Sequence, residues 1–229
     1  MDTHKEHHFT AADAVRDIII GASDGFTMPF AIAAGLTGAS VAVSIVITAG
    51  LAEIVAGAIS MGLGGYLAAK SQADHYDREY AREELEVEEK PEAEAKEVME
   101  VLQSYGLTEA EGLPIVHSLK TRKKDWIEFM MRYELGLERP DRARAWKSAL
   151  TIGFAYTVAG IIPLAPYIFF DTIGKAFVAS SIVTLCALML FGYLRGTYTA
   201  LKPFRSIAQT VMVGVLAASA AFAVAKLIQ

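Results

Sequence analysis

The chain has 229 residues, of which 53% are hydrophobic, and its mean hydropathy is positive. These values are typical of a small membrane protein that crosses the bilayer several times, and they exclude an ordinary soluble domain. The formal net charge of −5 argues against nucleic acid as a partner, because no basic patch stands clear of nearby acidic residues.

The charged residues are concentrated in one part of the chain. Between Lys70 and Lys147 lie 14 of the 21 Lys and Arg residues and 19 of the 26 Asp and Glu residues. The rest of the chain is nearly uncharged, so the sequence predicts a membrane body with one hydrophilic insert. The single cysteine, Cys186, lies in an apolar run and cannot form an intramolecular disulfide.

Five apolar runs approach or exceed the ~20 residues that a membrane-spanning helix needs. They are Ile18–Ser40, Val41–Ala69, Ser148–Phe170, Ala176–Leu194 and Ser206–Ala225. The residues before the first run are polar and the run itself is long, so we expect it to stay in the membrane and not to be cleaved as a signal peptide. Pro29 frees the carbonyl of Gly25 in the first run, and Pro163 and Pro166 are expected to kink or break the third.

The hydrophilic insert is predicted to be helical. No proline occurs from Val41 to Lys90, so the second span is expected to continue as a helix well past its apolar part. Pro91 suits the first turn of a new helix, Pro91–Tyr105, which Gly106 terminates. A third helix is predicted over about Lys123–Gly136, and the segment with Glu109 and Glu111 is predicted to be a connecting loop. The predicted fold is an all-α membrane protein with five transmembrane helices and a three-helix insert between spans two and three.

The positions of Lys and Arg predict the orientation in the membrane. Most basic residues near the span ends lie on the side of the N-terminus and the insert: Lys5, Arg16, Lys70, Lys147, Arg195, Lys202 and Arg205. The opposite side carries only Lys175 and Lys226. We therefore expect residues 1–17 and the insert, 70–147, to be cytosolic, residues 18–69 and 148–229 to form the membrane part, and the C-terminus to lie on the far side.

Two carboxylates interrupt the first two apolar runs, Asp24 and Glu53. A charged side chain at bilayer depth costs about 3 kcal/mol on insertion scales and is usually functional, which points to cation transport. Met61 lies on the same helical face as Glu53, and carboxylate with thioether suits a borderline ion such as Fe²⁺ better than Ca²⁺ or Mg²⁺. The alternatives are a buried polar group that pairs within the protein, for the carboxylates, and ordinary packing, for Met61.

The insert carries a second set of acidic residues in E-x-x-E repeats. Pairs spaced by three residues occur on two helices that are antiparallel across the Pro91 turn, as in the di-metal sites of helical bundles. The third helix adds two methionines and a glutamate. The predicted metal ligands are Glu83, Glu86, Glu94, Glu97, Met130, Met131 and Glu134. The acidic pattern by itself also fits a solvated helix face.

Three alternatives to transport of a borderline ion such as Fe²⁺ remain. A manganese or broad divalent-metal transporter would have the same architecture. A membrane-anchored diiron enzyme would need Glu-x-x-His pairs, and the insert sequence has none. A metal sensor would not need acids in two spans.

No Ser, His and Asp pattern indicates a nucleophile and no phosphate-binding loop occurs, so we expect neither an enzyme nor ATP-driven transport.

Two stretches, IIIGASDGFTMPFAIAAGL in span one and LAEIVAGAISMGLGGYLA in span two, resemble the vacuolar iron transporter family. The E-x-x-E insert and the stretch FMMRYELGL add to the resemblance, and the position of the insert between spans two and three is a hallmark of that family. The resemblance covers essentially the whole chain, although spans three to five are less diagnostic.

The resemblance implies a homodimer of five-span protomers in the vacuolar membrane, with the ion path between the protomers. It implies that Fe²⁺ moves from the cytosol into the vacuole in exchange for protons, and that Asp24, Glu53 and Met61 line the path. It also implies that the seven insert residues form a cytosolic metal-binding domain. No cofactor is expected beyond the transported or bound ions, Fe²⁺ and also Mn²⁺, Co²⁺ and Zn²⁺. A carboxylate binds metal when ionised and releases it when protonated, so an acidic lumen can drive the cycle.

Overall fold

A computed structural model describes residues 8–199 and 202–228, with side chains from residue 13 onward. These residues form eight α-helices and no strand. The helices are α1 His8–Gly38, α2 Val43–Glu89, α3 Pro91–Ser104, α4 Glu109–Lys120, α5 Lys123–Tyr133, α6 Arg144–Phe169, α7 Ile173–Tyr198 and α8 Pro203–Ile228. Lys5, which contributed to the predicted orientation, lies outside the described residues.

Five of these helices are long and apolar enough to cross a membrane, which confirms the predicted number of spans. They are α1 over Asp13–Gly38, α2, α6, α7 and α8. The second span does continue as one unbroken helix, because α2 runs from Val43 through the charged segment to Glu89. Helix formation there follows from the absence of proline and of any glycine after Gly65.

The described chain separates into two compact units. The first, here called the membrane unit, comprises Met1–Leu67 and Ala145–Gln229, and the second, the insert unit, comprises Ala68–Arg144. Helix α2 contributes residues to both.

Glycines in the membrane unit bring α1 and α6 into backbone contact. A Cβ atom added to Gly25 would lie 2.9 Å from the Cα of Tyr156, and one added to Gly21 would lie 3.0 Å from the carbonyl carbon of Ile152. Helices in membranes associate closely where small residues let their backbones approach. Because Gly25 follows Asp24 directly, this contact sets the position of Asp24 relative to α6.

Pro163 and Pro166 were expected to kink or break the third span, and they do not break it, since α6 is continuous through both residues. Both prolines are buried. The hydroxyl of Ser180 on α7 donates a hydrogen bond of 2.6 Å to the carbonyl oxygen of Pro163. Packing against neighbouring helices and side-chain hydrogen bonds of this kind allow proline inside a transmembrane helix.

The insert unit has its own hydrophobic core, to which all its helices contribute. The core consists of Tyr76, Val87, Ala95, Val98, Leu102, Val116, Leu119, Trp126, Ile127, Met130 and Met131. Helix α3 begins at Pro91 as predicted, and Gly106 follows its end with a φ of +89°, a conformation that glycine adopts without strain.

The segment predicted to be a connecting loop is helix α4, so the insert contains one helix more than expected. The backbone nitrogen of Thr108 donates to Glu111 Oε2 at 2.8 Å, and its hydroxyl donates to the same oxygen at 2.6 Å. This capping box starts the helix, and Val116 and Leu119 then bury its apolar side in the core.

Candidate ion path and metal site

Glu53 is half-buried on α2. Its Oε1 accepts a hydrogen bond from the hydroxyl of Tyr156 on α6. Its Oε2 is buried and has no hydrogen-bond partner among the described residues. A buried carboxylate oxygen without a partner is costly, so Glu53 is poised to accept a cation or a proton at that oxygen.

Tyr156 is a site residue that the sequence reasoning missed. It is almost completely buried, its hydroxyl donates to Glu53, and its backbone lies against Gly25, the residue that follows Asp24. Gly57, one helical turn from Glu53, leaves space for the ring, since a Cβ there would lie 2.6 Å from Tyr156 Cε1. Two features of the sequence could have pointed to Tyr156: it is a tyrosine within an apolar run, and Gly57 leaves room for a large side chain on the helical face that carries Glu53.

Asp24 lies on a face of α1 that the membrane unit leaves uncovered. Asp24 is exposed, as are Ile20 and Met28 one turn before and after it. The opposite face of α1, including Gly25 and Phe26, is buried. Met28 was not singled out from the sequence, although its i, i+4 spacing from Asp24 places a thioether on the same face.

Met61 is partly exposed on α2, two turns beyond Glu53. The apolar part of α2 is only 17% buried, against 44% for α1 and for α6. The face that carries Glu53 and Met61 also carries Gly64, and a Cβ on Gly64 would meet nothing within 4 Å. The part of α2 near Met61 and Gly64 therefore borders open space within one protomer, whereas Glu53 packs against Tyr156.

In the insert unit, the five predicted glutamates are brought together. Burial, followed by the charges of the other four, raises the pKa of Glu94 to about 7. Partial burial of its carboxyl group, followed by the neighbouring glutamates, raises the pKa of Glu134 to about 7, although that residue as a whole is exposed. The glutamates in this cluster are Glu83, Glu86, Glu94, Glu97 and Glu134.

Two members of this glutamate cluster are buried with an unpaired oxygen. Glu83 is 2% exposed and Glu94 is 3% exposed, and Oε2 of each lacks a hydrogen-bond partner within the described part of the chain. A buried carboxylate oxygen without a hydrogen-bond partner is unfavourable, because it has lost its contact with water. Among the side chains described, residues 13–199 and 202–228, no three of His, Cys, Asp or Glu are arranged closely enough to hold a metal ion. The cluster therefore has the charge and the free oxygens for a cation but not a finished coordination geometry.

Met130 and Met131 are fully buried in the core of the insert unit. They pack with Val98 and Trp126 as ordinary core residues do. Their role as metal ligands stays a prediction.

The VIT family model matches residues 15–226 of the chain. Vacuolar iron transporter 1 of Eucalyptus grandis is 56% identical over 229 residues, which cover 100% of this chain and 92% of that protein. Vacuolar iron transporter 1 of Arabidopsis thaliana is 55% identical over the same length, with 100% and 92% covered. Protein CCC1 of Saccharomyces cerevisiae is 36% identical over 223 residues, which cover 93% of this chain and 69% of that protein. The match therefore extends over nearly the whole chain, and the chain belongs to the VIT family, a family of transporters and not of enzymes.

Proposed function

We propose that this protein is a transporter of the vacuolar membrane that moves Fe²⁺ out of the cytosol in exchange for protons. The observation that carries the proposal is Glu53, whose one oxygen is held by Tyr156 while the other is buried without a partner. Two plant relatives that match over the whole of this chain are named vacuolar iron transporters, which supports iron as the transported ion.

The ion path runs along the faces that carry Asp24, Glu53 and Met61. Carboxylate oxygens supply charge, and a thioether adds a soft ligand that favours Fe²⁺ over Mg²⁺ or Ca²⁺. Tyr156 holds Glu53 in a fixed orientation, so its free oxygen has one direction in which to receive the ion.

Protons compete with the metal for the same carboxylate oxygens. On an acidic lumenal side, protonation of Asp24 and Glu53 weakens metal binding and releases the ion. On the cytosolic side, ionised carboxylates take the next Fe²⁺. A gradient of pH across the membrane is sufficient to drive this cycle without a nucleotide.

A second copy of the chain covers the open faces and completes the path between two protomers. An exposed carboxylate at bilayer depth is unfavourable against lipid, and Asp24 lies on the uncovered face of α1. Met28, exposed on the same face, provides a position for testing this arrangement. Replacing Met28 with cysteine in a Cys186→Ser background should give disulfide-linked dimers, whereas cysteine at Ile182, exposed on α7, should give none.

The insert unit collects Fe²⁺ on the cytosolic side, with the N-terminus on that same side. Five neighbouring carboxylates attract a divalent cation, and the unpaired oxygens of Glu83 and Glu94 are available to bind it. An oxygen-rich cluster of this type also accepts Mn²⁺, Co²⁺ and Zn²⁺, so a broad divalent-metal transporter is the second candidate function.

The deciding experiment is metal uptake into proteoliposomes with an imposed pH gradient, run in parallel with Fe²⁺, Co²⁺ and Mn²⁺. We expect Fe²⁺ uptake when the lumen is acidic and loss of uptake when an ionophore collapses the gradient. Uptake that is unchanged after collapse would exclude proton exchange. Mn²⁺ uptake equal to that of Fe²⁺ would favour the broad transporter.

A further inference from the structure

Arg82, on the part of α2 that belongs to the insert unit, contacts three glutamates at once. Its Nη1 lies 2.7 Å from Glu79 Oε2, its Nη2 lies 3.2 Å from Glu83 Oε1, and its Nε lies 3.3 Å from Glu86 Oε2. Glu83 and Glu86 are members of the glutamate cluster, whereas Glu79 is not. One guanidinium therefore joins two candidate metal ligands to a third carboxylate outside the cluster.

This arrangement follows from the sequence spacing on one helix. Glu79 and Glu86 lie three residues before and four residues after Arg82, so all three side chains share a face of α2. A guanidinium presents several donors in a rigid fork and stays charged at any physiological pH, so it can serve several carboxylates at once. Glu83 is buried while Arg82 is half-exposed, which places the charge at the rim of the cluster.

The Arg82 guanidinium pairs with only some of the carboxylate oxygens in the glutamate cluster. It contacts Oε1 of Glu83 and leaves Oε2 of that residue without a partner among the described residues, as is also the case for Oε2 of Glu94. A divalent ion that binds to the cluster meets a positive charge already on two of its ligands. Like charges at such short distances repel, so the ion and the guanidinium cannot both remain on these oxygens without cost.

We propose that Arg82 is a built-in counter-cation of the glutamate cluster, which a divalent metal ion must displace from Glu83 and Glu86. This inference rests on the proposed metal-collecting role of the insert unit. Glu79 keeps the guanidinium attached at 2.7 Å, so Arg82 has a partner outside the cluster when the metal arrives. In the metal-free state Arg82 lowers the repulsion among the glutamates, and in the metal-bound state it weakens binding, which lets the ion leave for the path.

The test is a calorimetric titration of the full-length protein in detergent micelles with Co²⁺ and, separately, Zn²⁺. The variant Arg82→Gln removes the charge, and Arg82→Lys keeps the charge but loses the fork. The matched control is Arg122→Gln, because Arg122 pairs with Asp125 at 3.0 Å in the same unit and contacts no member of the cluster. Thermal unfolding of each protein, with and without metal, shows whether the insert is folded.

We expect Arg82→Gln to bind metal about tenfold more tightly than wild type, Arg82→Lys to fall between the two, and Arg122→Gln to match wild type. The metal-free Arg82→Gln protein should unfold at a lower temperature, and metal should raise that temperature by more than it does in wild type. Equal or weaker binding by folded Arg82 variants would overturn the proposal and make Arg82 a purely structural residue. An absence of binding by wild type itself would overturn the metal-collecting role, and this inference with it.

Discussion

The two units use the same chemical group in opposite ways. In the membrane unit, Tyr156 is the one hydrogen-bond partner of the Glu53 carboxylate among the described residues, and Asp24 lies on an exposed face of α1. In the insert unit, five glutamates lie close together, two of them paired with Arg82, and burial with mutual repulsion raises the pKa of Glu94 to about 7. A carboxylate held by one partner stands apart from other acids, whereas crowded carboxylates repel one another and retain protons closer to neutral pH.

The largest expected effect is on the isolated carboxylates. Glu53→Gln and Asp24→Asn should each lower proton-driven Fe²⁺ uptake by about 100-fold or more, because each removes a charge from the path. Metal binding by the insert unit should be unchanged in the same proteins, since its ligands are intact. Uptake at the wild-type rate in either variant would show that the substituted acid is structural and does not belong to the ion path.

The second prediction concerns the clustered carboxylates of the insert unit. The combined change of Glu83, Glu86, Glu94 and Glu97 to glutamine should abolish most metal binding in calorimetry, because it removes four of the five clustered charges. The matched control changes Glu84, Glu88, Glu100 and Glu109, which are exposed in the same unit and outside the cluster, and it should bind metal nearly as wild type does. Glu111 is unsuitable as a control because it caps α4. Equal loss in both proteins would mean that only net charge matters.

The third prediction concerns the partner that orients Glu53. Tyr156→Phe removes the hydroxyl and keeps the ring that fills the space beside Gly57. We expect Fe²⁺ uptake to fall by about tenfold, as is typical of losing one hydrogen bond to a charged group. Binding by the insert unit should not change. The control is Tyr193→Phe on α7, because Tyr193 is exposed and is not a predicted path residue. An equal loss of uptake in that variant would show that the effect is not specific to the hydroxyl of Tyr156.

The smallest expected effect is that of Glu94 on the stability of the insert unit as pH changes. The folded-state pKa of Glu94, about 7, lies above its ordinary value of 4.5, so the folded insert retains a proton that the unfolded chain has lost between these pH values. Its stabilising contribution is fully present below about pH 4.5 and is lost as pH rises to about 7. Unfolding of the metal-free protein, followed through the fluorescence of buried Trp126 in a Trp146→Phe background, reports on this unit.

In that measurement, Glu94→Gln should change little near pH 5 and should raise the unfolding temperature relative to wild type near pH 8. Metal binding should show the opposite trend and strengthen as pH rises, since it needs the ionised carboxylate. A difference between variant and wild type that does not depend on pH would contradict the raised pKa.

Local physics was sufficient for much of the architecture. The five apolar runs form membrane-length helices, α2 continues without proline to Glu89, and α3 begins at Pro91. Each of these features depends on hydrophobicity or backbone constraints within a few residues, which a sequence displays directly.

One local prediction was wrong and another was met only in part, each for its own reason. Helix α4 is short and was predicted as a loop, although Thr108 and Glu111 carry a capping box and its apolar residues are buried only in the assembled core. Pro163 and Pro166 do not break α6, since both are buried among neighbouring helices. The loop prediction overlooked the capping box, which the sequence displays. The continuity of α6 through its prolines depends on packing between helices, which the sequence does not display.

The sequence by itself determined which residue types lie at membrane depth, which glutamates repeat along the insert helices, and which family the chain resembles. Only the tertiary structure decided that Glu134 joins the other four glutamates, that Tyr156 holds one oxygen of Glu53, and that Arg82 faces the cluster. The physical reason is that these relations depend on burial and on distances between helices. A carboxylate's partners and its pKa are properties of the packed neighbourhood and not of its position along the chain.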